Sequence, residues 1–306
     1  MVLQALSARG VAEPGFLRHI LGRAIAHAQL FRSGDGRLAI FNGSFEDDGK
    51  ALTKALETVE GDDHPTGFAR HSGFQRLDAG RCVVIADTGA ARGSAQSLAG
   101  YQSGASFHFS SGRSRMVVNC GSGSRMSGEW RGALRRAAAH STLSAEPEAA
   151  LPDFAKAAAF THRRAEDTRG HLLEIERPFT VSSDGPPHVR RLYLDAGGAG
   201  LRGEDSLFGA SLDLLSTWRL RFHLHPSVKA SLARDGKSVI LALSNKEGWR
   251  FRSNLKTVAL EKSVYLGANG QHQSTEQIVL SGAPVDHLEP GAVGDMVAKW
   301  GFRRLD

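Results

Sequence analysis

The sequence predicts a mainly-β chain, an antiparallel two-layer β-sandwich preceded by a short helical segment. Three observations carry this. From Ser72 onward the chain breaks into many short alternating runs bounded by Gly, Asp and Ser. Asp235-Gly236 lies between two such runs, a strong hairpin signal. Helical spacing is concentrated in the first 65 residues.

In that first part, Phe16, Leu17, Ile20, Leu21, Ala24, Ile25 and Ala28 repeat at helical spacing over 16–30. Ser33-Gly34-Asp35-Gly36 ends the helix. Leu38 to Phe41 reads as a short strand closed by Asn42-Gly43. A second helix over 50–59 sets Leu52, Leu56 and Val59 on one face. Two helices and one strand cannot bury a core, so residues 1–65 read as the end of a larger helical unit or a collar packed on the strand-rich remainder of the chain. Strands are expected at 73–77, 81–86, 104–109, 114–120, 140–145, 157–166, 170–182, 188–195, 201–208, 217–224, 228–233, 237–243, 248–252, 256–260, 262–266 and 273–281. The Gly/Ser/Arg-rich loops at 88–100 and 121–136 are the natural lip of a cleft.

At 306 residues the chain is long enough for a large core, and a single β unit of this size needs no second domain. The formal net charge of +6 is spread along the chain. With no Lys/Arg-rich tract and no nucleic-acid motif, it suits an anionic small molecule or polymer better than DNA. Cys82 and Cys120 lie in apolar runs and read as buried free thiols. No apolar stretch is long enough to span a membrane. Met1 to Leu6 lacks the basic and apolar regions of a secretory signal. No Walker loop, dinucleotide fingerprint, nucleophile elbow or Cys-x-x-Cys pair is present.

The histidines carry what chemistry the residues suggest. Arg221, His223 and His225 fall on one face of a strand, Phe222 and Leu224 on the other, and Pro226 ends it. The polar face is either a cleft or a packing surface. His140 and His188 are each expected to open a strand beside arginines, which favours an anion-binding face only modestly.

Ordered short motifs then point to a family. They are Phe107-His108-Phe109-Ser110-Ser111-Gly112-Arg113, Val117-Val118-Asn119-Cys120-Gly121, Ala138-Ala139-His140-Ser141-Thr142-Leu143, His188-Val189-Arg190-Arg191-Leu192, Arg221-Phe222-His223-Leu224-His225-Pro226, Trp249-Arg250-Phe251, and Ser263-Val264-Tyr265-Leu266-Gly267 with Gln277-Ile278-Val279-Leu280. In this order they resemble bacterial heparinase II/III-like proteins over residues 15–306, and 35–43 resembles the junction that ends their helical domain. The resemblance implies an N-terminal (α/α) toroid joined to a C-terminal antiparallel β-sandwich. It also implies a polysaccharide lyase that cleaves uronate-containing chains such as heparan sulfate or alginate by β-elimination. A base takes the proton α to the carboxylate, an acid protonates the leaving oxygen, and the developing charge is neutralised. Tyr and His usually fill the first two roles, and much of the family's Asn/Tyr machinery lies on the toroid.

Residues 1–65 would then be the last part of a toroid, with Met1 an internal start, and 66–306 the sandwich. Where the lyases carry His-x-His-x-Asp, this chain reads Ala99-Gly100-Tyr101-Gln102-Ser103. Ala99 takes the catalytic His position and Tyr101 a metal-ligand position, while Asn119 takes that of the metal Asp and His140 that of the final His. Neutral Asn and protonated Tyr are poor zinc ligands, so no firmly bound zinc and no other cofactor is expected. His140 and Tyr101 are the expected catalytic residues, and Asn119, His188 and Arg190 the expected lining of an anionic sugar site. The implied partners are an anionic polysaccharide and a helical toroid supplied in cis or in trans. The implied location is the cell envelope or periplasm. A non-catalytic carbohydrate-binding sandwich and an inactive fragment are the alternatives.

Overall fold

In the computed structural model, residues 2–47, 49–57, 65–89, 100–146, 160–179, 185–267, 271–282 and 293–305 are described. Three helices come first: α1 (Val2–Ala8), α2 (Gly15–Leu30) and α3 (Lys50–Glu57). The expected strand at 38–41 does not form. Leu38 makes one bridge to Arg32, and the segment 30–47 is instead a collar laid on the sheet behind it. Its apolar side chains Leu30, Ala39 and Phe41 pack on Phe74, Val83 and Ile85, with the Phe31, Phe41 and Phe74 rings edge to face. Burial against a sheet, rather than strand pairing, satisfies this stretch.

The strands come next in the chain: β1 (Phe68–Ala69), β2 (Phe74–Ala79), β3 (Cys82–Asp87), β4 (Phe107–Ser111), β5 (Ser114–Val118) and β6 (Leu143–Ala145). Then come β7 (Thr161–Asp167), β8 (Gly170–Pro178), β9 (Pro187–Asp195), β10 (Gly200–Ser211), β11 (Trp218–Leu224) and β12 (Lys229–Leu232). The last are β13 (Ser238–Ala242), β14 (Gly248–Ser253), β15 (Ala259–Tyr265), β16 (Gln273–Ser281) and β17 (Val293–Leu305). Two short helices, α4 (Gly128–Ala133) and α5 (Leu212–Thr217), were not legible as periodic segments. The two runs expected at 256–260 and 262–266 are one strand, β15, paired along its length with β16.

Among the described residues the strands form two antiparallel sheets. One runs β1-β2-β3-β4-β5-β11-β16-β15, with β6 also on β11; the other runs β12-β13-β14-β17-β10-β9-β8-β7. They pack face to face as a sandwich. Phe107, Phe109 and Phe222 from the first sheet meet Trp249, Phe251, Trp300 and Phe302 from the second. Phe107 stacks on Trp300 with ring centres 5.5 Å apart. Sequence reasoning missed β17, yet it is an interior strand of its sheet, paired with β10 on one side and β14 on the other. Met296, Ala298, Trp300 and Phe302 point inward at every second position, as a half-buried strand requires.

Candidate functional site

The outer face of the first sheet, under the collar, gathers the polar side chains. On β11, Phe222 and Leu224 enter the core, while Arg221 and His223 face outward, and His225 follows just past the strand's end. That outward face is a covered one: Arg221 and His223 are buried. His223 Nε2 donates to the Ala138 carbonyl (2.9 Å), so Nδ1 is left to accept from Ser263 Oγ (2.7 Å). Cys120 Sγ lies 3.5 Å from the same Nδ1. Burial, with Arg221 and His140 nearby, pushes His223 down to about 3. Burial pushes the Cys120 thiol up to about 12, so it stays protonated and Cys82 and Cys120 are the buried free thiols expected.

Polar side chains of this face fasten the collar. Arg115 makes a two-point ion pair with Asp35 (2.9 and 3.1 Å). His108 Nε2 and Ser33 Oγ are 2.8 Å apart. Asn119 Nδ2 donates to the Ile40 carbonyl (2.9 Å), while its Oδ1 accepts from Ser141 N (2.9 Å). Arg76 Nη1 donates to the Leu30 carbonyl (3.0 Å). Tyr265 donates to Glu46 Oε2 (2.9 Å), and Arg37 to Glu46 Oε1 (2.5 Å). Burial pushes the Glu46 carboxyl up, but His225, Arg115, Arg37 and Tyr265 outweigh it and hold it well below the usual range.

The structure brings Tyr101, His140 and Asn119 together. His140 comes just after a 3₁₀ turn (Ala137–Ala139) rather than opening a strand, and β6 begins three residues later. The Tyr101 ring stands edge to face on the imidazole, centres 5.9 Å apart. The Tyr101 hydroxyl lies against Gly43 of the collar, where any Cβ would fall 2.0 Å from it. The backbone beside His140 is locked. Ser141 N donates to Asn119, Ser141 Oγ donates to the Val118 carbonyl (2.7 Å), and the Ser141 carbonyl accepts from Arg190 (2.9 Å). The ring itself is 1% exposed, and neither nitrogen meets a hydrogen-bond partner in good geometry among the described residues. Burial pushes it down to about 4, offset slightly by the Leu134 backbone. Burial raises Tyr101 above its ordinary value, with Arg135 working against it. At neutral pH the pair is therefore a neutral imidazole beside a protonated phenol.

His188 and Arg190, expected along a sugar site, lie elsewhere. Both are fully buried between the sheets. Asp205 Oδ1 accepts from His188 Nε2 (2.6 Å) and from Arg190 Nε (2.7 Å), and Asp205 Oδ2 accepts from Trp300 Nε1 (2.7 Å). Arg190 also donates to the Ala105 carbonyl (2.6 Å), tying the second sheet to the first. A buried guanidinium requires a carboxylate and carbonyls around it, and this site supplies them. Sequence reasoning also missed Asp87, whose Oδ2 is 2.8 Å from Ser103 Oγ, itself 2.5 Å from Asn42 Oδ1. Burial raises Asp87 to about 7 despite the Ser103, Gly89 and Asn42 bonds. Ala99 and most of the 88–100 loop lie outside the described residues. No three of His, Cys, Asp and Glu among the described residues group as a metal site.

The heparinase II/III-like C-terminal family model matches residues 61–293. The chain belongs to the heparinase II/III-like family. The chain superposes on the heparan sulfate lyase HepC from Pedobacter heparinus with a TM-score of 0.65. Identity there is 11%, over 90% of this chain and 45% of that one. A heparinase III gives a TM-score of 0.66 at 10% identity, over 90% of this chain and 45% of that one. At such identity the likeness is one of fold. A curated relative, the FtsZ-localized protein C of Caulobacter vibrioides (strain NA1000 / CB15N), is 32% identical over 297 residues. That match covers 90% of this chain and 51% of the relative. The chain thus spans about half the length of the proteins it matches. No helix among the described residues is long and apolar enough to cross a membrane.

Proposed function

We propose that this chain is the sandwich half of a heparinase II/III-like protein acting on an anionic, uronate-containing polysaccharide of the cell envelope. In this reading 66–306 is the sandwich, and 1–65 leads from a helical toroid domain. The observation that carries it is the Tyr101–His140 pair, joined from distant parts of the chain on a rigid mount. The neutral imidazole would take the proton α to the uronate carboxylate, and the Tyr101 phenol would protonate the leaving glycosidic oxygen. Asn119 holds the mount, while His188 and Arg190 hold the sheets that carry it. No bound metal or other cofactor enters this reading.

The test is to incubate the protein with heparan sulfate and with alginate and follow the ultraviolet absorbance of unsaturated uronate. Product formed by the wild type and abolished by His140→Ala supports the reading; equal product from both overturns it. A second reading is favoured by the burial of His140 and by the relative named for its location at FtsZ: a non-catalytic, polysaccharide-binding protein of the envelope. Retention of the chain on immobilised polysaccharide without product selects it.

A further inference from the structure

The collar, α3 and the β4–β5 turn enclose an open cavity of about 770 Å³ that lies apart from the Tyr101–His140 pair. Its lining includes four cations, Arg32, Lys50, Lys54 and Arg113, and two carboxylates, Asp35 and Glu57. The count alone understates the charge. The Asp35 carboxylate is committed to Arg115, both of its oxygens held by that guanidinium. Glu57 is then the one lining carboxylate set against Arg32, Lys54 and Arg113. The Arg32 guanidinium is placed by neutral acceptors: the Gly36 carbonyl (3.0 Å), Gln29 Oε1 (3.4 Å) and Thr53 Oγ1 (3.2 Å). Its charge meets no carboxylate among the described residues. Lys54 and Arg113 likewise have no ion-pair partner among the described residues.

The cavity floor is built tightly. The Gly34 backbone lies so close to the turn that a Cβ there would fall 1.8 Å from the Gly112 carbonyl oxygen. This contact fixes Arg113 against the collar that carries Arg32. No lining residue is aromatic, so the cavity has no platform for stacking a sugar ring or a base. What it offers is converging positive charge and N–H donors, which suit a compact oxyanion.

We propose that this cavity is a binding site for sulfate or phosphate ester groups. Resting on the function proposed above, it takes ester-linked anionic groups of the polysaccharide at a distance from the reacting bond.

The experiment is isothermal titration of the whole chain at low ionic strength. The probes are inorganic sulfate, inorganic phosphate and a sulfated heparin oligosaccharide. A sulfate-free oligoguluronate and a single-stranded oligonucleotide are the comparisons. The variant is Lys54→Ala/Arg113→Ala; both side chains are exposed, so the fold is not at risk. Saturable binding of the sulfated oligosaccharide is expected, weakened about tenfold in the double variant and weakened further by salt. Tighter binding of the oligonucleotide than of the sulfated sugar reassigns the site to a phosphate polymer and overturns the polysaccharide source. No binding of any ester or inorganic anion, or binding unchanged in the double variant, overturns the site itself. His140→Ala should leave this binding intact, so a failure of the lyase reading and a failure of this one are told apart.

Discussion

Acid should draw stability from this protein through its buried histidines, which are held neutral; His140 and His223 are two of them. His140 and His223 are each almost fully buried and carry pKa values pushed from 6.5 to about 4 and about 3. The unfolded chain binds a proton at each near 6.5, and the folded chain does not. The contribution of these two rings is therefore full above about pH 7 and falls as pH drops through 6.5, until the folded ring itself titrates, while Asp87, raised to about 7, works in the opposite direction over this range and is common to wild type and variant. At pH 5 each histidine removes about 2 kcal/mol, together about 4 kcal/mol, a large part of the ~5–15 kcal/mol typical of folded proteins. His140→Leu isolates one contribution. Its two ring nitrogens lack good partners, so an apolar side chain of similar size should leave stability at pH 7.5 within about 1 kcal/mol. At pH 5 the variant should gain about 2 kcal/mol on the wild type. Urea unfolding from pH 5 to 8, monitored by tryptophan fluorescence, measures both curves. Parallel curves for wild type and variant would refute the reasoning, because the His140 ring would then be taking up a proton in the fold.

Two further substitutions probe the interior and the collar. Asp205→Ala strips the only carboxylate touching the buried Arg190 among the described residues and should cost about 3–5 kcal/mol in thermal unfolding; a loss below about 1 kcal/mol would mean Arg190 finds another counter-charge. Asn119→Ala leaves the Ile40 carbonyl and the Ser141 N–H without their partner, so a loss of about 1–3 kcal/mol and faster proteolysis within 33–47 are expected, whereas an unchanged cleavage rate would show that Asn119 does not hold the collar.

Much of the sandwich was legible because its strands alternate and its turns carry Gly and Asp. The strand β17 shows the same alternation, but Asp295, Lys299, Arg303 and Arg304 dilute its apolar content and hid it. The placement of His188 and Arg190 was also open to reading. They share a strand face with Leu192 and Leu194, both buried, so the two-residue period directs them inward. Their partner Asp205 stands alone in sequence, with nothing to mark it. The collar's fasteners were out of reach for a similar reason. Asp35 and Arg115 are 80 residues apart, and Glu46 and Tyr265 are 219 apart, so topology rather than local pattern joins them.

The position of β17 also sets the order in which this molecule can be completed. β10 and β14 each owe one of their edges to residues 293–305. Until those residues have left the ribosome, the second sheet exists as two separate pieces. The aromatic centre under Phe222 meanwhile lacks Trp300 and Phe302. Strand pairing over such long sequence separation is slow, and it leaves open strand edges and apolar surface in the meantime. The growing chain thus carries a half-closed sandwich from the emergence of β10 until residues 293–305 follow. Closure comes when β17 enters between two waiting neighbours.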